Sequence, residues 1–312
     1  MIKLGITLGD PAGVNPEVLV KAFPFLEKLK SQFIVYGDEA LILKEIKRYR
    51  LTLPPNIHLN NLSSLNIRPG HPTIESHQAM IRYIQMALRD ACQGRIKGLI
   101  TLPINKEGLK IVGLPYRGHT EWLANELKAN TFAMAFYGKK LKLSLLTTHI
   151  PLTKVPQEIT INRVLEVAHL SYEFLKKLKG SAEEVKIALC GLNPHAGEGG
   201  LLGEEEEKLL KPAVAEARKR GIPLHGPYPA DSLFYWTIQG RFDFVISLYH
   251  DQGLIPFKML HFKNGVNLTL GLPLIRTSPV HGTAYDIAGK GIADPTSFIE
   301  AVKLAFQLAK KW

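Results

Sequence analysis

Apolar positions along the chain follow two alternating rhythms. Short unbroken runs read as buried strands: residues 1–8 ("MIKLGITL"), 32–38 ("QFIVYGD"), 96–101 ("IKGLIT"), 186–191 ("KIALCG") and 265–271 ("GVNLTLG"). A further run from Phe242 reads as a strand ending at Tyr249. Between them, apolar residues at three- and four-residue spacing predict helices over 16–30, 39–50, 73–94, 119–129, 156–178, 203–221 and 295–311. Asn15 reads as the cap of the first helix, with Pro16 at its first position. Residues 131–149 read as a hairpin turning at Gly138-Lys139-Lys140. Strands alternating with helices predict an α/β fold with a mostly parallel sheet, the hairpin adding an antiparallel edge.

Length changes this picture. The chain has 312 residues, and single cores stop growing at about 250–300 residues, so two domains are expected. No Pro/Gly/Ser linker separates two halves, so the chain is expected to cross between the domains more than once. Lys plus Arg number 39 against 28 Asp plus Glu, a net charge of +11. No block of five basic residues concentrates that charge. A diffuse basic surface suits steering of anionic small molecules better than nucleic-acid binding, and neither nucleic acid nor membrane is an expected partner. Two cysteines, Cys92 and Cys190, make neither a disulfide framework nor a thiolate zinc site. With no signal peptide and no long apolar span, a cytoplasmic protein is expected.

Polar residues cluster where strands end. Asp10 follows the first strand, His119 and Thr120 open a helix, His149 ends "LLTTH", and His195 lies in "CGLNPHAGEGG". "SLYHDQGLIPFK" (247–258) puts His250, Asp251 and Gln252 after a core strand, followed by an apolar turn carrying Lys258. Open parallel sheets bind ligands outside the carboxyl ends of their strands. Histidines after three strands suit a transition metal, and three protein ligands with an open position suit a catalytic one. No GxGxxG is present, so a Rossmann dinucleotide site is not expected.

Together "GDPAGVNPE", "GHTE", "TTHIPL", "NPHAGEGG", "YHDQGLIPFK" and "RTSPVHGTAYDIAGKG" resemble the 4-hydroxythreonine-4-phosphate dehydrogenase family of vitamin B6 synthesis. More distantly, the stretches at 9–18 and 281–295 are similar to motifs of isopropylmalate and isocitrate dehydrogenases. The resemblance implies two α/β/α domains of that type with the active site in the cleft between them. One domain is expected from residues 1–128 plus 282–312. The other, 129–281, is expected to carry most of the metal site and the dimer interface.

The resemblance also implies the site. His149, His195 and His250 would bind one divalent metal (Zn, Co or Mg), one of the three coming from a partner subunit of a homodimer. His119, Thr120, Lys258, Asn267 and Arg276 would hold the substrate, and His281, Gly282 and Asp286 would hold NAD or NADP. The metal would polarise the substrate hydroxyl, Asp251 or Asp231 would take its proton, and hydride would pass to the nicotinamide. The resulting β-keto acid would lose CO2 to give 3-amino-2-oxopropyl phosphate. For Asp251 the alternative is orienting a ligand histidine; for Asp231 it is capping a helix. Where the family pattern has "TSVDHGTA", this chain has Pro279 and Val280 before His281, a lost carboxylate near the cofactor loop. The alternatives to this substrate are a phosphorylated sugar acid such as 4-phosphoerythronate and, more distantly, phosphate acyl transfer on the same superfold.

Overall fold

The computed structural model describes residues 1–116, 118–180 and 184–311. The chain forms two compact units, Met1–Ala129 with Leu272–Trp312, and Asn130–Gly271. The second crossing lies at 271/272 rather than the expected 281/282. Residues 275–279 form a strand registered in parallel with residues 98–100, which ties Arg276 to the first unit.

The first unit carries strands β1 (Ile2–Thr7), β2 (Ser31–Gly37), β3 (Ile57–Asn61) and β4 (Gly98–Thr101). Its order is β3-β2-β1-β4, continued by the strand Ile275–Pro279, and every pairing is parallel. Leu4, Ile6, Phe33, Val35, Leu99 and Ile100 are fully buried in it. The helix Ile74–Cys92 begins with a capping box in which Thr73 and Ser76 bond reciprocally, and it buries Ala79, Met80, Tyr83, Ile84 and Ala87. The helix Thr296–Ala309 packs on the strand Ile275–Pro279 and buries Phe298, Ala301, Val302 and Ala305. Each large side chain so buried contributes about 1.5–3 kcal/mol.

The first expected helix is shorter than its pattern. It runs Asn15–Lys21, and a separate turn, Phe23–Leu26, follows around Pro24, which has no N–H to continue the ladder. Asn15 is not the cap. Val14 holds that position, and the Asn15 side chain instead donates to Asp10 O at 3.0 Å and Pro103 O at 2.8 Å.

The second unit holds β5 (Ala133–Tyr137), β6 (Lys142–Leu145), β7 (Ile187–Cys190), β8 (Leu224–Tyr228), β9 (Phe244–Ser247) and β10 (Val266–Leu270), which makes the strand Ile275–Pro279 β11. Their order is β10-β5-β6-β9-β7-β8. β5 and β6 form the expected hairpin, β10 pairs antiparallel with β5, and β6, β9, β7 and β8 run parallel. The helix Ile161–Lys179 is capped by the Thr160 side chain and buries Val164, Val167, Ala168 and Leu175. It starts after a break at Ile159 instead of running unbroken from 156. The strand expected to reach Tyr249 stops at Ser247, and the expected turn at Lys258 is a helix, His250–His261, with Pro256 inside it. Among the described residues no helix is long and apolar enough to cross a membrane.

Candidate active site

β6, β9 and β7 are neighbours, and their carboxyl ends lie level: Leu145 is opposite Ser247, and Ile246 opposite Leu189. Each strand then releases a segment bearing one of the three singled-out histidines. Leu146 N–H donates to Ser247 O at 2.8 Å. Thr147 bonds Leu248 O through its N–H at 3.1 Å and its hydroxyl at 2.7 Å. These bonds fix the segment leading to His149 against the one leading to His250. The two imidazole rings end 5.7 Å apart, tilted by 43°.

His250 opens its helix, and its Nδ1 lies 2.7 Å from Asp251 Oδ1. An ionised Asp251 there accepts the Nδ1–H and leaves the Nε2 lone pair available, as an orienting carboxylate does for a metal-ligating histidine. Two imidazoles side by side fit a divalent transition metal. His195 does not join them within one chain. It sits in the left-handed loop after β7 with its side chain 69% exposed, and Nδ1 lies 3.5 Å from Glu198. Among the described residues no group of three or more His, Cys, Asp or Glu side chains is gathered to hold a metal. The expected triad is therefore a pair plus one histidine turned to solvent.

Asp231 lies in the first turn of the helix Ala230–Ile238, exposed, where its carboxylate accepts the Ser232 N–H at 2.8 Å. Pro229 takes the cap position there. Lys258 is exposed on the helix that His250 opens, and Asn267 lies in β10.

In the first unit, His119 and Thr120 begin the helix His119–Glu126, anchored by the fully buried Trp122, and both are buried. Burial, then Arg276, then Lys106 hold the His119 imidazole well below its usual range, so it is neutral at neutral pH. The Arg276 guanidinium, 3% exposed in β11, donates to Thr101 Oγ1 from Nε at 3.1 Å and Nη2 at 2.8 Å. Burial lowers it to about 9, leaving it cationic at neutral pH. A desolvated cation beside a neutral imidazole is suited to a phosphate or carboxylate. Lys106 shares this environment, although "NKEGLK" looks like any solvated helix start.

His281 follows β11. Its Nδ1 lies 2.9 Å from Gly282 O, and its Nε2 is buried without a hydrogen-bond partner among the described residues. Nδ1–H donation to that carbonyl makes Nε2 an unfilled acceptor. Burial lowers the His281 pKa as well. Asp286 is exposed further along the chain in a short turn, Tyr285–Ile287. The loop is held by further polar groups. Tyr285 donates its hydroxyl to the buried Asp10 carboxylate at 2.5 Å and accepts from Asn105 Nδ2 at 2.7 Å. Glu17 accepts the Ala293 N–H at 2.8 Å, and Lys21 donates to the carbonyls of Gly291 and Ala293.

Known proteins resemble the chain over its length. It matches the family described as pyridoxal phosphate biosynthetic protein PdxA over residues 27–305. A 4-hydroxythreonine-4-phosphate dehydrogenase from a Sulfurihydrogenibium species is 43% identical, covering 99% of both chains. A D-threonate 4-phosphate dehydrogenase from Bordetella bronchiseptica is 38% identical, covering 99% of this chain and 93% of its own. The crystal structure of 4-hydroxythreonine-4-phosphate dehydrogenase from Klebsiella pneumoniae superposes with a TM-score of 0.86 at 34% identity, covering 99% and 98% of the two chains. Isocitrate dehydrogenase from Methylococcus capsulatus shares the fold alone, with a TM-score of 0.52 at 15% identity over 99% of this chain and 88% of its own. Sequence and fold agree over nearly the whole chain, and the protein belongs to the PdxA family.

Proposed function

We propose that the chain is a nicotinamide- and divalent-metal-dependent dehydrogenase of 4-hydroxy-L-threonine 4-phosphate. Its product would be 2-amino-3-oxo-4-(phosphooxy)butanoate, which loses CO2 to give 3-amino-2-oxopropyl phosphate. The observation carrying this reading is the His149–His250 pair at adjacent strand ends, in a chain 43% identical to a relative of that activity. A bound divalent metal supplies Lewis acidity at the substrate hydroxyl. The rest falls to the chain. His149 and His250 present imidazole nitrogens, and Asp251 orients the His250 ring. Asp231, whose carboxylate bonds only the neighbouring Ser232 among the described residues, would take the hydroxyl proton.

Arg276 and Lys258 supply cations for phosphate and carboxylate, while His119, Thr120 and Asn267 orient the carbon skeleton. His281, Gly282 and Asp286 take the adenosine end of NAD or NADP. His281 Nε2 supports this as a buried polar atom of the loop with no hydrogen-bond partner among the described residues. So does Gly282, where an added Cβ would meet open space rather than protein.

The reading includes a homodimer whose second copy lends its His195 to this copy's His149 and His250. Support comes from the helix that His250 opens, which exposes Ile255 and Met259 at 61% and 82%, and from its C-cap Phe262, exposed at 73%. Apolar side chains in such a group mark a surface that another protein covers.

A second reading, oxidation of D-threonate 4-phosphate, draws on the Bordetella relative. The two substrates differ at one carbon, amino against hydroxyl, so kcat/KM measured side by side for both separates them. The expected outcome is a higher kcat/KM for the amino acid. The reverse ratio overturns the substrate assignment while leaving the reaction type.

A further inference from the structure

One buried acid stands beneath His195. After β7 the backbone passes through five consecutive left-handed residues, with φ of 52° at His195, 54° at Ala196, 77° at Gly197, 44° at Glu198 and 69° at Gly199. Three of them carry side chains, and each such residue costs about 1–2 kcal/mol. A strained course persists only where its surroundings over-determine it.

Glu206 supplies that determination. It is fully buried. Oε1 accepts the N–H of Leu192 at 2.7 Å and of Asn193 at 2.8 Å, and Oε2 accepts from Asn193 Nδ2 at 2.9 Å. A Cβ added at Gly197 would come within 2.8 Å of Oε2, so the carboxylate sits inside the curl of the loop. Glu206 also begins a π-helical turn, Glu206–Leu210, a form that recurs at functional sites. Gln252 closes the other side, donating to Gly191 O at 2.8 Å and accepting the Leu248 N–H at 2.7 Å. The loop carrying His195 is thus tied to the helix carrying His250.

We propose that Glu206 is a positioning residue that fixes the left-handed turn so that His195 meets a divalent metal. The inference rests on the reading of His195 as a ligand. Glu206 makes its hydrogen bonds to the loop itself, so its effect on the metal passes through His195.

The test is Co2+ binding by calorimetry to the chelator-stripped full-length protein, unaltered and as Glu206→Ala, His195→Ala and the double variant. Each single substitution is expected to weaken Co2+ binding by about tenfold or more. The double variant is expected to bind no more weakly than His195→Ala alone, because coupled residues are not additive. Additive losses, or full affinity in Glu206→Ala beside a weakened His195→Ala, overturn the proposal and leave the ligand reading standing. Full affinity in His195→Ala overturns the ligand reading, and the proposal with it. Should Glu206→Ala not fold, Glu206→Gln carries the same cycle. It keeps the volume and an acceptor for the backbone but sets an amide against Asn193 Nδ2. Weakening that disappears in the His195→Ala background supports the proposal; full affinity, or weakening that persists there, overturns it.

Discussion

At the residue scale, a buried imidazole can serve two neighbours only in one protonation state, and His261 is so placed. Its Nε2 accepts the Lys140 N–H at 3.2 Å, which leaves Nδ1–H for Asn264 Oδ1 at 3.0 Å. Burial, reinforced by Lys140 and Lys142, lowers its pKa from 6.5, while the Asn264 bond opposes the shift. The folded state therefore binds a proton less readily than the unfolded chain. Its contribution is complete above pH 6.5 and is lost as pH falls below that value toward the depressed folded pKa. Thermal melts from about pH 8 to pH 5 should show Tm falling through the lower half of that range, and less steeply in His261→Gln. An equal slope in the variant would assign the effect to His119, His225 and His281, whose pKa values are also lowered. Arg276 yields a second expectation. Arg276→Lys loses the planar fork, so KM for the phosphorylated substrate should rise about tenfold or more, the effect of a lost charge-assisted hydrogen bond. An unchanged KM removes Arg276 from the substrate grip. The residue types at these positions were legible, because His, Arg and Asp after apolar runs are conspicuous. What surrounds them was not. Nothing in "GEEEE" tells Glu206, fully buried under a loop, from its exposed neighbour Glu204.

At the element scale, the capping box of the helix Ile74–Cys92 is a local device with a local cost. Thr73→Ala should destabilise the protein by about 1 kcal/mol, readable as a lower denaturant midpoint with an unchanged m-value. A changed m-value would mean that more than the cap is altered. Strands with unbroken apolar runs were legible, as were helices with clear periodicity. β3, with its polar "IHLNN", and β8, with Gly226 and Pro227 inside it, were not, because neither alternation nor an apolar run marks them. The helix His250–His261 was hidden by Gly253 and Pro256, which punctuate a sequence as a turn does. Gly253 packs against Ser247, leaving less than 3 Å for a Cβ, so close helix–strand contact selects glycine here rather than a turn. The Asn15 cap failed for a related reason. The side chain suits a cap, but tertiary acceptors at Asp10 and Pro103 claim it.

For the whole molecule, the sequence indicated two domains and a chain that returns to the first. The point of return lies earlier than the sequence suggests, because Arg276–Ser278 carries site-like polarity on a buried strand. The three strand-end histidines were legible, but their spacing was not: the His149 and His250 rings lie 5.7 Å apart, and His195 joins no such group among the described residues. A shared site makes a specific prediction. His195→Ala and His250→Ala should each be inactive alone, and co-expression should restore activity, because a mixed dimer keeps one complete site. Random pairing puts the recovered rate at about a quarter of the unaltered value for a two-fold dimer. No recovery in dimers shown to be mixed would mean that each site is built within one chain. Most directly, the central claim is tested by NADH formation from 4-hydroxy-L-threonine 4-phosphate, with and without a chelator. Turnover that stops on chelation and returns with a divalent metal is the predicted result. Absence of NADH from folded, metal-loaded protein supplied with NAD and substrate would contradict it.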